Sequence, residues 1–297
     1  MRRLRFSRLS TIKDLLEWKA KFGALGRPIA GGTDLIVGLR EAGFDLPAID
    51  VGDIRAVPDL KGIDIDGGDT AATGCGIRIG PLATHSEISC HPEIGRRAAL
   101  LAAGASEVGS PQIRNRGTIG GNVCNASPCA DTVPPLIALG AVLTLRSLRG
   151  ARNLPLEEAI LGPYRTAIED DEVLTDIRFA APQEGSGSAF IKLGRRNALS
   201  ISRMSIAVMS RVDGRGILRD VRVAGGSIAP TPRRFRAVET VLDGNLPGDD
   251  LLAAAGEEMV AEMIRMTGRR WSTPYKEPVV AALLKRAILR SILRREE

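Results

Sequence analysis

Twice in this chain a pair of adjacent glycines stands where an extended run turns toward a helix, and that pattern narrows the folds open to it. The first is Arg27-Pro-Ile-Ala-Gly-Gly-Thr-Asp-Leu35. The second is Gly117-Thr-Ile-Gly-Gly-Asn-Val-Cys-Asn-Ala-Ser-Pro-Cys-Ala-Asp131. Glycine lacks a Cβ, so its backbone reaches positive φ and approaches a ligand closely. Consecutive main-chain N–H groups then converge on an anion, and a helix start behind the loop adds favourable dipole charge. Thr33 and Thr118 add hydroxyls and Asn122 an amide. Asp131, at the head of an expected helix, suits a ribose hydroxyl or an adenine amino group. Neither loop carries the lysine of a phosphate-binding loop or the G-x-G-x-x-G spacing of a Rossmann unit. One Gly-Gly turn alone is an ordinary tight turn; two, each with threonine and a nearby carboxylate, point to a bound dinucleotide.

The rest of the chain reads as a mixture of short helices and strands. Thr11-Ile-Lys-Asp14 predicts a helix start, with Leu15, Leu16 and Trp18 on the buried face and Gly23 as the stop. Arg27–Ala30 reads as a strand and Leu35–Leu39 as a short helix. Residues 47–82 have the texture of short strands with turns such as Asp66-Gly-Gly-Asp69, and His91-Pro92 opens a helical stretch through Ala103. Ser106–Asp131 reads as a long connection, followed by a helix over Asp131–Leu139 capped by Asp131. Ala141–Leu145 and Val173–Phe179 read as strands. Ala181–Gly187 is the candidate domain boundary. Beyond it lie strands at Ala189–Leu193, Ser205–Val212 and Leu218–Gly225, the last two joined by a turn at Asp213–Gly216. Helices are expected over 234–242, 250–266 and 276–293. Strands followed by helices predict an α+β C-terminal domain.

Composition removes several function classes. The net charge of +6 is spread over 41 basic and 35 acidic residues, and aromatics make up 3%, too few for base stacking; nucleic acid is not an expected partner. No apolar run approaches the roughly 20 residues of a membrane span. The start, Met1 to Arg5, is basic without a following hydrophobic stretch, which reads as a cytoplasmic N-terminus. The 4 cysteines are too few for a disulfide scaffold. The 2 histidines, without suitably spaced carboxylates, do not make a metal site. His85 reads as a surface or hydrogen-bonded imidazole, Cys124 and Cys129 as small buried residues, and Trp18 and Trp271 as core or rim anchors.

The two loops and their surroundings resemble the FAD-binding subunits of xanthine dehydrogenase, carbon monoxide dehydrogenase and related molybdenum hydroxylases. The likeness rests on Ala30-Gly-Gly-Thr-Asp34, Gln112-Ile-Arg-Asn-Arg-Gly-Thr-Ile-Gly-Gly-Asn122, Asn125-Ala-Ser-Pro128 and Ala130-Asp131. It continues through Gly162-Pro-Tyr-Arg-Thr166, Val173-Leu174, Phe190-x-Lys192-x-x-Arg195-Arg196, Gly225-Gly-Ser-Ile-Ala-Pro-Thr-Pro-Arg233, Glu239 and Tyr275-Lys276, in preserved order. The resemblance implies an α+β protein: an FAD-binding fold of two small α+β subdomains over residues 1–180, with a break near 55–60. A C-terminal domain over 188–297, a three-stranded antiparallel sheet with helices, would follow. It implies FAD contacts from Pro28, Ile29, Ala30, Gly31, Gly32, Thr33, Asp34 and Leu35, and from Thr118, Ile119, Gly120, Gly121 and Asn122. Asp131 would sit at the adenosine end, Val108 and Leu174 would make apolar contacts, and Lys192 would lie near the flavin ring. It implies partners as well: a large subunit with the molybdenum cofactor and a small one with iron–sulfur clusters. Electrons would leave to NAD or a quinone-like acceptor. On this reading no side chain here is a catalytic acid or base in substrate hydroxylation. The competing readings are a flavin-free structural subunit of the same complex and a nucleotide-binding transferase acting alone, which would need a base or carboxylate cluster near the loops.

Overall fold

The computed structural model of the chain describes residues 5–41, 49–65, 76–196 and 199–293. The basic residues Met1–Leu4, the expected turn Asp66–Asp69 and Cys75 lie outside the described residues. The fold is α+β, and the chain divides into two compact units that do not follow its linear order. Residues 1–88, 110–126 and 141–180 form the first; residues 89–109, 127–140 and 181–297 form the second.

In the first unit, strands Arg5–Arg8, Asp50–Asp53 and Gly26–Ile29 form a parallel sheet with Asp50–Asp53 in the middle. Between the outer strands runs the helix Ile12–Phe22. Its start is the expected capping box: Thr11 Oγ1 accepts from the Asp14 amide at 3.1 Å, and the Asp14 carboxylate accepts from the Thr11 amide at 3.1 Å. Such a cap contributes about 1 kcal/mol. Leu15, Leu16 and Trp18 are buried with Leu9, Val57 and Leu60. Trp18 packs closely against Gly52 of the sheet, which has no side chain there; a Cβ would stand 2.9 Å from the indole. The first glycine loop therefore leaves the carboxyl edge of a parallel sheet, a recurrent place for ligands in open α/β sheets.

The sheet ending at Asp53 gives way to a second, antiparallel one in the order Ile63–Ile65, Gly76–Ile79, Val173–Ala180, Val142–Ser147, Gly150–Pro155. Ile77, Ile79, Leu143, Leu145 and Ile177 are buried, with the alternation of a sheet covered on one face.

In the second unit, strands Ser186–Leu193, Met204–Val212 and Leu218–Gly226 form the expected antiparallel meander, with a two-residue fourth strand, Arg233–Arg234, at its edge. The turn between the last two long strands is held by Asp213, whose Oδ1 accepts from the amides of Arg215 at 2.9 Å and Ile217 at 3.0 Å. Helices Arg236–Leu242, Asp249–Thr267 and Thr273–Leu293 supply Val238, Met259, Leu284 and Ile288 to one core with Ile206, Val208 and Val223 of the sheet. Trp271 departs from expectation: it is 96% exposed in the turn before the last helix, where no core reaches it.

Ser106–Asp131 is not the plain connection its composition suggests. It contains the short helices Pro111–Arg114 and Ile119–Asn125. The helix after it, Val133–Ala138, is capped by Thr132 without a side-chain bond, not by Asp131. The Asp131 carboxylate is drawn instead to a lysine.

Candidate functional site

The first loop leaves the strand Gly26–Ile29 and enters the helix Leu35–Glu41. Gly32 turns it with φ +74°. Its carbonyl accepts from the Ile36 amide at 3.1 Å, and that of Asp34 accepts from the Gly38 amide at 2.9 Å. Among the described residues, the five successive main-chain N–H groups of Gly31, Gly32, Thr33, Asp34 and Leu35 have no acceptor. Unpaired amide runs of this kind call for an anion or for water.

The second loop differs from its sequence reading. Thr118 is the N-cap of the helix Ile119–Asn125, so Gly120 and Gly121 are its first turn rather than a free loop ahead of it. Its amides are engaged within the chain: Ile119 to the Ala83 carbonyl and Gly120 to the Pro81 carbonyl, both at 2.9 Å, Gly121 to Thr118 Oγ1 at 3.1 Å, and Asn122 to the Thr118 carbonyl at 3.0 Å. The expectation that both loops offer main-chain amides is met by the first alone. The second loop is the wall against which the first is set. A Cβ on Gly31 would collide with the Arg116 carbonyl and come within 3.0 Å of Gly117 Cα. Asn125 Nδ2 also donates to Asp34 Oδ1 at 3.0 Å, tying the two segments together. Leu174, in the strand Val173–Ala180 of the same unit, is buried opposite Leu145.

The other expected site residues belong to the second unit. Lys192 Nζ donates to Asp131 Oδ2 at 2.6 Å and to the Glu107 carbonyl at 2.8 Å, one residue before the half-buried Val108. The two charged side chains are 8% and 7% exposed. Burial lifts the Asp131 carboxyl to about 6 against the pull of Lys192. Asp131 Oδ1 is buried without a partner.

Residues 2–182 match the family described as "FAD binding domain in molybdopterin dehydrogenase", and residues 189–291 match "CO dehydrogenase flavoprotein C-terminal domain". The chain belongs to this flavoprotein family. It is 33% identical to the nicotinate dehydrogenase FAD-subunit of Eubacterium barkeri over 87% of this chain and 85% of that one. It is 30% identical to the xanthine dehydrogenase FAD-binding subunit of Escherichia coli O157:H7 over 97% and 95% of the two chains. Among solved structures, carbon monoxide dehydrogenase from Hydrogenophaga pseudoflava superposes with a TM-score of 0.88 at 27% identity, covering 99% of this chain and 98% of that one.

The chain is thus an oxidoreductase component of the molybdenum-hydroxylase type. The residues present fit the family's flavin dinucleotide. Five acceptor-free amides suit a diphosphate, and the exposed Gly121 leaves its side of the helix start without a side chain. Among the described residues no group of three or more His, Cys, Asp or Glu stands together as a metal ligand set, and no helix is long and apolar enough to cross a membrane.

Two further expectations change. Cys129 is half-buried, and Cys124 keeps exposed surface as a residue although burial pushes its thiol up to about 11, so the expectation of small buried residues holds only for the Cys124 sulfur. His85, read as a surface or hydrogen-bonded imidazole, is 2% exposed and its Nδ1 has no partner. No local signal announces this, because Gly117, its neighbour in space, lies far along the chain. Burial, with Arg114 nearby, pushes its pKa down to about 4 from 6.5. The unfolded chain therefore takes up a proton before the folded one does. Stability should fall as pH drops from 6.5 to 4, level off below 4, and be untouched above 6.5. The full effect is about 3 kcal/mol. Urea unfolding of the wild type and of His85→Leu between pH 7 and 4 checks this; parallel pH profiles for the two proteins would refute it.

Proposed function

We propose that this chain is the flavin subunit of a molybdenum-containing hydroxylase, and that its own work is to hold FAD and relay electrons. The large partner would carry the molybdenum cofactor and hydroxylate the substrate. The small one would carry iron–sulfur clusters that feed electrons to this chain, which would hand them to NAD or a quinone-like acceptor in the cytoplasm. FAD supplies the redox chemistry when bound; the protein supplies position, electrostatics and shielding. The observation that carries the reading is the run of acceptor-free amides from Gly31 to Leu35 at the carboxyl edge of a parallel sheet. In this assignment those amides bind the diphosphate, and Pro28, Ile29 and Ala30 lead the strand into it. Thr118 to Asn122 form the wall that keeps the cradle open, and Leu174 shields the cofactor on an apolar side. On the resemblance, Asp131 is assigned to the adenosine end and Val108 and Lys192 to further cofactor contacts.

Full-length chain, refolded or stripped of cofactor, should take up about one FAD and show flavin absorbance, and by itself should hydroxylate no substrate. Folded chain that binds no FAD would favour the flavin-free structural subunit instead. Hydroxylation by the isolated chain would overturn the division of labour.

A further inference from the structure

The row of acceptor-free amides contains a carboxylate. Asp34 stands between Thr33 and Leu35, in the segment assigned to an anion. A carboxylate there is a like charge beside a diphosphate and opposes its binding. Asparagine or serine would keep the main-chain amide without that charge, so the amide row alone gives no reason for an aspartate.

Both oxygens of this carboxylate are engaged. Oδ1 accepts from Asn125 Nδ2 at 3.0 Å and Oδ2 from Thr33 Oγ1 at 3.3 Å. Thr33 is a neighbour in the same loop, but Asn125 is the last residue of the helix Ile119–Asn125. That helix end is itself fixed. Ala126, the left-handed residue that stops it with φ +47°, donates its amide to the Val123 carbonyl at 3.1 Å and accepts from the Tyr164 amide at 2.9 Å.

The two ends of the amide row are held differently. At Gly31 the backbone is set against Arg116 and Gly117. At the other end, the helix Leu35–Glu41 buries none of its residues fully, so apolar packing does little to hold it. A charged acceptor makes a stronger hydrogen bond than a neutral one. The bond from Asn125 to Asp34 is therefore the tie on that side.

Resting on the flavin reading above, we propose that Asn125 is a positioning residue of the flavin site. It acts through Asp34. It holds that residue, and with it the amides from Gly32 to Leu35, in the row that receives the diphosphate. It also occupies the carboxylate oxygen that would otherwise repel the same anion.

The test titrates FAD into the full cofactor-free chain and its variants. Asn125→Ala should weaken FAD binding about threefold to tenfold, the loss expected for one hydrogen bond. The thermal midpoint of the cofactor-free chain should stay within about 2 °C of wild type. Asn125→Asp sets two carboxylates against each other and should lose more affinity than Asn125→Ala. The exchanged pair Asp34→Asn/Asn125→Asp again gives one amide facing one carboxylate, and should recover most of that loss. In an Asp34→Ala background, Asn125→Ala should have no further effect. A residue that only stabilised its helix end would be indifferent to what stands at position 34. Wild-type affinity in Asn125→Ala, or a further loss from it in the Asp34→Ala background, would overturn the proposal and leave the flavin reading intact. A lowered midpoint in Asn125→Ala, with no recovery in the exchanged pair, would overturn it too and make Asn125 a structural residue. Wild-type chain that takes up no FAD would remove the flavin reading itself and this proposal with it.

Discussion

Gly31→Ala should lower the stability of the cofactor-free chain by about 3 kcal/mol or more and abolish FAD binding, while Gly121→Ala should leave stability level or slightly raised. The glycine pairs look equivalent in sequence, but the structure gives each position a different job. At Gly31 the added methyl meets main-chain atoms of Arg116 and Gly117, which cannot rotate away. Either the first loop lifts off its wall or both segments distort, and the amide cradle goes with them. Gly120 is similarly confined, with a Cβ that would fall 2.7 Å from the Pro81 carbonyl oxygen. Gly32 is limited by its φ of +74° rather than by space, at a cost of about 1–2 kcal/mol for any other L-residue. Gly121 is exposed, and its Cβ would meet only Thr118 Oγ1, at 3.1 Å. An alanine there gains up to about 1 kcal/mol of helix propensity. Gly121→Leu should therefore separate the two properties, keeping the midpoint and losing FAD affinity, because the side chain would project toward the proposed cofactor. Thermal unfolding with a parallel FAD titration measures both. For Gly31→Ala the midpoint should fall by roughly 5–10 °C. Equal midpoints for Gly31→Ala and Gly121→Ala would refute the close-approach account.

The contrast between those glycines shows what the linear sequence holds and what it hides. Features set by neighbours three or four residues away were legible: the Thr11–Asp14 capping box, the Asp213 turn, the three helices after the meander. Their physics is local. Features set by distant chain were not. Gly31 is a glycine because of Arg116, and His85 packs against Gly117, 32 residues along the chain. The helix Ile119–Asn125 is masked by its own composition: glycines and asparagines are poor helix formers, and this helix stands on the Thr118 cap and on bonds to the Pro81 and Ala83 carbonyls. The residues 89–109 and 127–140 group with the C-terminal half, a division that no composition shift announces. The fold class and the identity of the loops were readable; which amides remain available was not, because that depends on which carbonyls the fold brings to them.

Asp131 and Lys192 carry the same lesson into energetics, since sequence assigned each a separate role and the structure pairs them across 61 residues. Lys192→Met should cost the cofactor-free chain about 3–5 kcal/mol near pH 8, the usual loss when one member of a buried ion pair is removed. The remaining carboxylate would be buried with Oδ1 already unpaired and Oδ2 newly so. The pH dependence follows from the sign of the shift. The Asp131 carboxyl is raised to about 6 in the folded protein against 3.8 unfolded, so stability from its protonated form is present below 3.8 and lost as pH rises through 6. Without Lys192 only burial acts, the carboxyl rises further, and the loss extends to higher pH. The gap between Lys192→Met and wild type should thus widen from pH 5 to 8. Asp131→Asn leaves a buried ammonium without its counter-charge and should also cost stability. The double variant Asp131→Asn/Lys192→Met removes both charges and should recover most of either single loss, giving a coupling energy of about 1–3 kcal/mol in a double-mutant cycle. Denaturant unfolding of the four proteins at pH 5 and 8 measures it. Additive single losses, or a gap that does not change with pH, would mean that the two side chains are solvated independently rather than buried together.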